Sequence, residues 1–129
     1  MKNIAKIIYL LLIILSLDYS YSEDSFILYN NIHDTIKLSI EFDRSALIIF
    51  SAVWCKHCNS LKNDFSNKKI VEMDSFIVCI IDTDFDAEYA KKFNIKILPT
   101  SIILQNNKEK DRKIGYINNE YKTWLQKQK

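Results

Sequence analysis

Two cysteines separated by two residues are the groups in this sequence best suited to chemistry. Cys55 and Cys58 lie in the stretch SAVWCKHCNS, with Trp54 before them and Lys56 and His57 between them. Such a pair can form half of a zinc site, a structural bridge, or a redox couple that exchanges two electrons with another disulfide. The neighbouring residues, and the elements that carry them, distinguish these three uses.

Zinc and a structural bridge explain the cysteine pair less well than redox chemistry does. A zinc site needs two more ligands, and the chain offers only Cys79, His33 and His57 for them. Cys79 lies in the apolar stretch IVCII without a ligand partner of its own, and is expected to be a buried, inert thiol. A structural bridge between residues this close closes so short a loop that it stabilises the fold only slightly. We therefore predict a redox pair and no bound metal.

The residues around the two cysteines favour a reactive thiolate. A thiol attacks a disulfide as its thiolate, and a helix N-terminus, a lysine or a protonated histidine lowers the pKa of a cysteine. Lys56 and His57 are therefore predicted to tune the redox properties of the pair. We predict that Cys55 is the attacking thiol and that Cys58 resolves the mixed disulfide. Trp54 is predicted to shield the pair and to offer a flat apolar surface to a partner.

Continuous apolar runs predict the strands that position the motif. ALIIFSAV (46–53) and SFIVCII (75–81) are typical of buried central strands, and the cysteine motif follows the first of them directly. TSIILQ (100–105) and KDRKIGY (110–116) predict two further strands. Asn106-Asn107 between them predicts a tight hairpin turn.

Apolar spacing and capping residues predict the helices. One helix is predicted within residues 31–42, behind an asparagine that can cap it, and a second one carries Leu61 and Phe65 one turn apart. A third is predicted over 86–93, and a last one is expected to begin behind Asn118 as its capping residue. The resulting order, α-β-α-β-α-β-β-α, predicts an α/β domain with one sheet and helices on both faces.

The N-terminal segment differs from the rest of the chain. Behind two lysines, residues 7–17 form an apolar run of 11. A membrane-spanning helix needs about 20 such residues, so this run favours a signal peptide. We predict a signal peptide over residues 1–22, cleaved after Ser22, and a single domain over 23–129. The alternative is an uncleaved anchor in which residues 7–17 tether the domain to a membrane.

Length and charge limit the class of partner. A chain of 129 residues is long enough for one domain with a real core. Its 18 basic and 16 acidic residues give a net charge of +2, which does not indicate a nucleic-acid partner. We expect a monomer. A disulfide isomerase is disfavoured, because such enzymes usually need a dimer or tandem domains, and nothing in this length supplies either.

Three motifs together resemble the thioredoxin superfamily. They are WCKHC after a buried strand, IDTD at the end of the next strand, and NIKILPTSII further along. The resemblance covers about residues 26–128, and Gly115, the only glycine, falls where thioredoxins carry one before their last helix. It implies a thioredoxin fold, with a central mixed β-sheet of about four strands flanked by helices on both faces.

The resemblance also implies site residues and partners. Pro99 is expected to be a cis proline that faces the disulfide, and the backbone of Leu98 to pair with an extended client segment. The partners are then client proteins that offer thiols or disulfides, together with a membrane electron donor. No dissociable cofactor is implied, because the disulfide itself carries the two electrons.

The chain departs from the thioredoxin pattern at two buried positions. Many thioredoxins place an acid in the strand before the motif, where it relays a proton to the second cysteine. Ile49 occupies that position here, and Ile80 occupies the position of the basic residue that often faces the acid. The loss of both removes the relay, so that water or the substrate must carry the proton of Cys58.

The resulting prediction is an exported thiol–disulfide oxidoreductase, periplasmic or secreted, that keeps client proteins reduced. One alternative is a disulfide-forming oxidant, because His57 stands where strongly oxidising periplasmic enzymes often place a histidine; those enzymes, however, carry a helical insertion that this chain has no room for. Another is a non-catalytic module that binds clients beside Trp54, Leu98 and Pro99. The sequence leaves the direction of electron flow open.

Overall fold

The structure, a computed structural model, describes residues 1–16 and 27–129. The helices described are α1 Lys2–Ser16, α2 Ile32–Glu41, α3 Lys56–Ser66, α4 Ala87–Lys92 and α5 Asn118–Gln126. The strands described are β1 Ile27–Tyr29, β2 Ala46–Ser51, β3 Ile77–Asp82, β4 Thr100–Gln105 and β5 Lys108–Ile114. A 3₁₀ helix, Val71–Ser75, precedes β3.

The strands form one mixed sheet in the order β1-β3-β2-β4-β5. Strands β1, β3 and β2 are parallel, whereas β4 runs antiparallel to β2 and β5 runs antiparallel to β4. The predicted mixed sheet with helices on both faces is therefore confirmed, and it has five strands, one more than the expected number of about four. The missed strand, β1, has only three residues, too few to show an apolar period.

Alternating residues of the central strands build a core on each face of the sheet. In β2, Leu47 and Ile49 pack with residues of α3, the 3₁₀ helix and α5. Ile48 and Phe50 pack on the other face, with residues of α2 and α4. All six residues of β2 are buried, as expected for a strand covered on both sides. The motif that follows β2 thus starts from a rigid part of the molecule.

A helix cap and a hairpin turn that were predicted from local sequence are both present in the structure. Asn31 caps α2, because its side-chain Oδ1 accepts the backbone N–H of Asp34 over 3.0 Å. Asn106 and Asn107 connect β4 to β5 with positive φ angles of 50° and 60°. Positive φ at both central residues is what a tight hairpin turn that matches the strand twist requires. The predicted hairpin is therefore confirmed.

Asn118 does not cap α5, so that prediction is wrong. The helix begins at Asn118 itself, and Ile117 stands before it without a side-chain cap. The Asn118 side chain instead donates to Asp64 Oδ2 over 3.1 Å, and the Tyr116 hydroxyl donates to the same oxygen over 2.8 Å. A carboxylate from α3 therefore draws the asparagine away from the helix end, and these bonds join α3 to the start of α5.

Helix α1 presents its described apolar side chains, from Ile4 to Ile13, to solvent. No helix within residues 1–16 and 27–129 is long and apolar enough to cross a membrane. The predicted cleavage after Ser22 falls in residues 17–26, which lie outside the described residues. The signal peptide over 1–22 and the domain limits at 23–129 stay predictions.

Candidate active site

The cysteine pair lies just after β2, at the N-terminus of α3. Cys55 and Cys58 form a disulfide with their Cα atoms 5.2 Å apart. Cys55 is the residue before the first turn of α3, and its Sγ accepts the backbone N–H of Cys58 over 3.3 Å. Cys55 is 7% exposed and Cys58 is 0% exposed. Only the first cysteine therefore reaches the surface, which is the order that an attacking and a resolving thiol require.

Hydrogen bonds hold the loop that carries the pair. The Cys55 backbone N–H donates to the Ala52 carbonyl over 3.2 Å. The Asn59 side chain, on the first turn of α3, reaches back to donate to the Val53 carbonyl over 2.9 Å. Asn59 was not predicted to take part in the site, although a polar side chain just after such a motif is a recognisable loop-bridging signal. These bonds keep the sulfurs at the helix N-terminus.

Trp54 lies on the surface beside the disulfide. Its side chain is 69% exposed, and its indole N–H donates to Asp84 Oδ2 over 2.7 Å. Asp84 follows β3 and was not predicted to have any role in the site. The arrangement leaves the indole accessible while restraining its orientation. The role of Trp54 in partner binding stays a prediction.

Lys56 and His57 occupy the first turn of α3 between the two cysteines. Both residues are exposed, so their side chains face solvent at the same helix end as the disulfide. An open groove of about 640 Å³ beside them is lined by Trp54, Lys56, Asn59, Ser60 and Asn63. The tuning of the redox pair by these two residues stays a prediction.

Leu98 packs beside the disulfide, and Pro99 follows it directly in the chain. The peptide bond between them is cis, and Leu98 packs against Ala52, Cys55 and Cys58. The Pro99 carbonyl accepts the backbone N–H of Gly115 over 2.8 Å. Gly115 has a φ of 79°, which favours glycine. The fold thus brings Leu98 to the cysteines from about forty residues away in the chain. The contact of Pro99 with the disulfide stays a prediction.

Exposed apolar side chains adjoin these site residues in the chain. The most exposed of them is the side chain of Phe85, next to Asp84, which is 80% exposed. The side chain of Ile97, just before Leu98, is 57% exposed. Contiguous exposed apolar surface on a protein often marks a site where another molecule binds. Sequence reasoning missed these side chains because they follow no helical or strand period. The whole set is Val53, Phe85, Ile97, Ile114 and Ile117.

The positions of the missing proton relay are apolar and enclosed. Ile49 is 1% exposed and Ile80 is 5% exposed, and the two are register partners on β2 and β3. Both belong to the core layer that includes Leu61 of α3. No acid or base therefore lies at either position beneath the pair. Two strand positions further on, the corresponding partners are Ser51 and Asp82.

The residues considered for zinc do not come together. The structure shows no group of three or more histidine, cysteine or acidic side chains able to hold a metal within residues 1–16 and 27–129. Cys79 is fully buried in the layer on the α2 and α4 side of the sheet. That burial raises the pKa of its thiol, against weaker lowering effects of Thr35 and Asn31. His33 lies exposed on α2.

Comparison with known proteins shows which family this sequence is similar to. The family model described as thioredoxin matches residues 30–127. Thioredoxin H5 of Oryza sativa is 27% identical over 85 residues, which cover 66% of this chain and 62% of that protein. Thioredoxin 3 of Plasmodium falciparum is 40% identical over 58 residues, covering 43% of this chain and 30% of that protein. The chain thus matches less than two thirds of the length of either relative.

Solved thioredoxin structures share the fold. A thioredoxin of Fasciola hepatica has a TM-score of 0.65 at 24% identity, with 81% of this chain and 99% of that chain covered. A poplar thioredoxin h has a TM-score of 0.69 at 18% identity, with 78% of this chain and 94% of that chain covered. Likeness at these identities shows a common fold.

Proposed function

The chain belongs to the thioredoxin family, and we propose on that premise that it is a protein thiol–disulfide oxidoreductase with Cys55 and Cys58 as its working pair. One observation carries the proposal. The two cysteines form a disulfide at the N-terminus of an 11-residue helix, one at the surface and the other enclosed. A purely structural bridge has no need of this asymmetry.

The reaction in the reducing direction has two exchange steps. The Cys55 thiolate attacks one sulfur of a client disulfide, a mixed disulfide forms, and the other client sulfur leaves as a thiolate. The Cys58 thiolate then attacks Cys55 Sγ, which forms the Cys55–Cys58 bond and releases the second client sulfur. The client gains two electrons and the cysteine pair loses them. The reverse sequence of steps oxidises a client dithiol.

The position of Cys55 suits it for the first step. Cys55 stands at the N-terminus of α3, where the backbone N–H groups of the first helical turn stabilise negative charge. The N–H of Cys58 already contacts Cys55 Sγ in the disulfide form, at 3.3 Å. Lys56 adds a cationic group at the same helix end, and the His57 side chain lies beside it in the first turn. These groups favour the thiolate of Cys55 over its thiol.

We propose that clients bind across the surface between Trp54 and Leu98. An extended client segment would pair with the backbone of Leu98 and place its sulfur against Cys55. The exposed side chains of Trp54, Ile97 and Ile114 offer apolar contacts around this path. Protein clients with a disulfide in an accessible, apolar segment are therefore the proposed substrates, and the enzyme is proposed to act as a monomer.

We further propose that the enzyme works outside the cytoplasm, periplasmic or secreted, as a reductant that receives electrons from a membrane partner. The apolar run at residues 7–17 supports export. The reducing direction is supported by the short path from α3 to β4, which consists of one 3₁₀ helix, β3 and α4. This path leaves no place for the helical insertion of the oxidising enzymes. N-terminal sequencing of the exported protein tests the compartment and should begin at Glu23.

The reduction potential of the Cys55–Cys58 pair tests the direction. The protein is equilibrated with glutathione buffers, its thiols are trapped, and the reduced fraction is measured. A value near the thioredoxin range, about −270 mV, is expected for a reductant. A value near about −120 mV would instead make the protein an oxidant, with His57 as the cause.

Turnover of a disulfide-bonded client protein tests the activity itself. Cys55→Ser is expected to abolish client reduction, because it removes the only sulfur of the pair that reaches the surface. Cys79→Ser is the matched control and should retain turnover, since Cys79 lies buried on the other side of the sheet. A pair that does not equilibrate with glutathione, or a Cys55→Ser variant that keeps full turnover, would contradict the proposal.

A further inference from the structure

Ser51 has a buried hydroxyl group that the fold does not use. The residue is 2% exposed, and its Oγ finds no hydrogen-bond partner in the part of the chain that the structure describes. Its backbone carbonyl, by contrast, accepts the N–H of Thr83 over 2.9 Å. An unpaired buried hydroxyl costs free energy that alanine at the same position would avoid. A serine kept in such a position calls for a functional explanation.

The order of buried side chains along β2 and α3 brings Ser51 towards the resolving cysteine. Side chains two apart on a strand share a face, so Ser51 lies on the α3 side of the sheet together with Ile49. Ile49 packs in the same core layer as Leu61, and Leu61 follows Cys58 along the buried side of α3. The strand runs towards the motif and the helix runs away from it. Ser51 is therefore the next β2 side chain towards Cys58.

Cys58 needs a proton acceptor in the resolving step. The thiol must lose its proton before its sulfur can attack Cys55. Cys58 is fully enclosed, and burial opposes formation of a thiolate. The positions that could supply an acid and a base beneath the pair hold Ile49 and Ile80. The only polar side chain that β2 itself places on this face is that of Ser51.

We propose that the Ser51 hydroxyl relays the proton of Cys58 to solvent and then donates a hydrogen bond to the Cys58 thiolate. This inference rests on the proposed oxidoreductase function. A hydroxyl can accept one proton while it donates its own, so Ser51 need never carry a lasting charge. The proton passes from Cys58 Sγ through Ser51 Oγ to water at the end of the strand. The freed electron pair on Cys58 forms the bond to Cys55 Sγ, and the client sulfur leaves with the electrons of the broken bond.

Several charged groups face this region and contribute to its pH dependence. Asp82, the register partner of Ser51, is half-buried on the same face of the sheet, and its Oδ1 accepts the N–H of Asp84 over 2.9 Å. The side chains of Lys56 and His57 at the start of α3, and of Lys96 on the loop before β4, are exposed, whereas Cys55 is only 7% exposed. The charged or titratable residues on these elements are Cys55, Lys56, His57, Asp82 and Lys96. A variant at Ser51 leaves all of them in place.

The test separates the two exchange steps in the full-length, reduced protein. The probe is a symmetrical aromatic disulfide, 5,5′-dithiobis(2-nitrobenzoate), whose released thiolate absorbs visible light. Attack by Cys55 releases the first thiolate, and resolution by Cys58 releases the second. Stopped-flow absorbance gives both rates across about pH 5 to 9, a range that spans the usual thiol titration. Wild type, Ser51→Ala and Ser51→Thr are compared.

Ser51→Ala is expected to slow the second release about tenfold at pH 7 and to move its pH profile upward, because the thiolate loses a hydrogen bond. The first release should be unchanged. Ser51→Thr keeps the hydroxyl and should restore most of the rate. The disulfide form of Ser51→Ala should unfold at the same temperature as wild type or higher, since no bond is lost.

Equal second-release rates and equal pH profiles in wild type and Ser51→Ala would overturn the relay. Slow resolution in both variants with an unshifted pH profile would assign Ser51 a packing role and would overturn it as well. Failure of the wild-type protein to release the first thiolate is a different result. It would remove the proposed oxidoreductase function itself, whatever Ser51 does.

Discussion

The indole N–H of Trp54 donates to Oδ2 of Asp84 over 2.7 Å, although the tryptophan side chain is 69% exposed. The bond therefore holds an apolar surface in contact with solvent. Asp84 is itself oriented, because its backbone N–H donates to Asp82 Oδ1 over 2.9 Å. The turn after β3 thus restrains the aromatic residue that precedes Cys55, and this gives a direct means of testing client binding.

Asp84→Ala is expected to raise the KM for a disulfide-bonded client protein about threefold to tenfold while kcat changes little. Without the hydrogen bond, the indole regains rotamer freedom that client binding must then restrict. Steady-state client reduction measures both constants. Asp86→Ala is the matched control, since Asp86 precedes α4 without a side-chain cap hydrogen bond. An equal effect in the control, or none at Asp84, would separate the indole from client binding.

Cys58→Ser is expected to accumulate a covalent mixed disulfide between Cys55 and a client. The surface thiol can still attack, but the enclosed group that expels the client is lost. Non-reducing electrophoresis and intact-mass measurement detect the adduct, which dithiothreitol should release. Cys55→Ser should form no adduct, because Cys58 is 0% exposed. Adducts formed more readily by Cys55→Ser than by Cys58→Ser would reverse the assigned roles.

Cys79 is expected to resist alkylation in the native, oxidised protein. Its side chain is 0% exposed, and burial raises the pKa of its thiol, so both access and thiolate fraction are low. Maleimide labelling at pH 7 followed by mass measurement should show almost no modification. The same reaction in denaturant should add one label per chain, since the other two of the three cysteines form the disulfide. Rapid labelling of the native protein would mean that the core between the sheet and helices α2 and α4, which encloses Cys79, opens to solvent.

Tyr116→Phe is expected to lower the Tm by roughly 2–6 °C at pH 7. The variant loses the 2.8 Å hydrogen bond from the tyrosine hydroxyl to Asp64, which joins α3 to the segment before α5. Thermal unfolding followed by circular dichroism measures the change. Tyr29→Phe is the control, because Tyr29 is 66% exposed on the short edge strand. A similar loss in both variants would argue against a specific role for the bond.

The effect of Tyr116→Phe on stability should diminish at high pH. Burial, followed by the hydrogen bond to Asp64, raises the pKa of Tyr116 to about 12. An unfolded tyrosine titrates near about 10, so this contribution is fully present below pH 10 and is lost as the pH rises towards 12. Unfolding measured between pH 7 and pH 12 should show the wild-type and variant curves converging. Parallel curves over that range would contradict the raised pKa.

The sequence by itself determined most of the elements and singled out the cysteine pair. Continuous apolar runs such as ALIIFSAV and SFIVCII are short and rich in isoleucine and valine, which favours strands covered on both faces. Asn31 and the Asn106-Asn107 turn are local signals, since their hydrogen bonds and φ angles involve only nearby residues. The spacing of Cys55 and Cys58 belongs to the same class, because one helical turn suffices to join them.

Only the tertiary structure decided which distant side chains meet. Strand β1 is too short to show a pattern and exists because its backbone pairs with β3, about fifty residues away. Asn118 leaves its expected capping role because the Asp64 carboxylate lies within reach. Trp54 meets Asp84, and the Ser51 hydroxyl finds no hydrogen-bond partner within residues 1–16 and 27–129, for the same physical reason. Partners far apart in the chain are chosen by packing, which no local periodicity or propensity encodes.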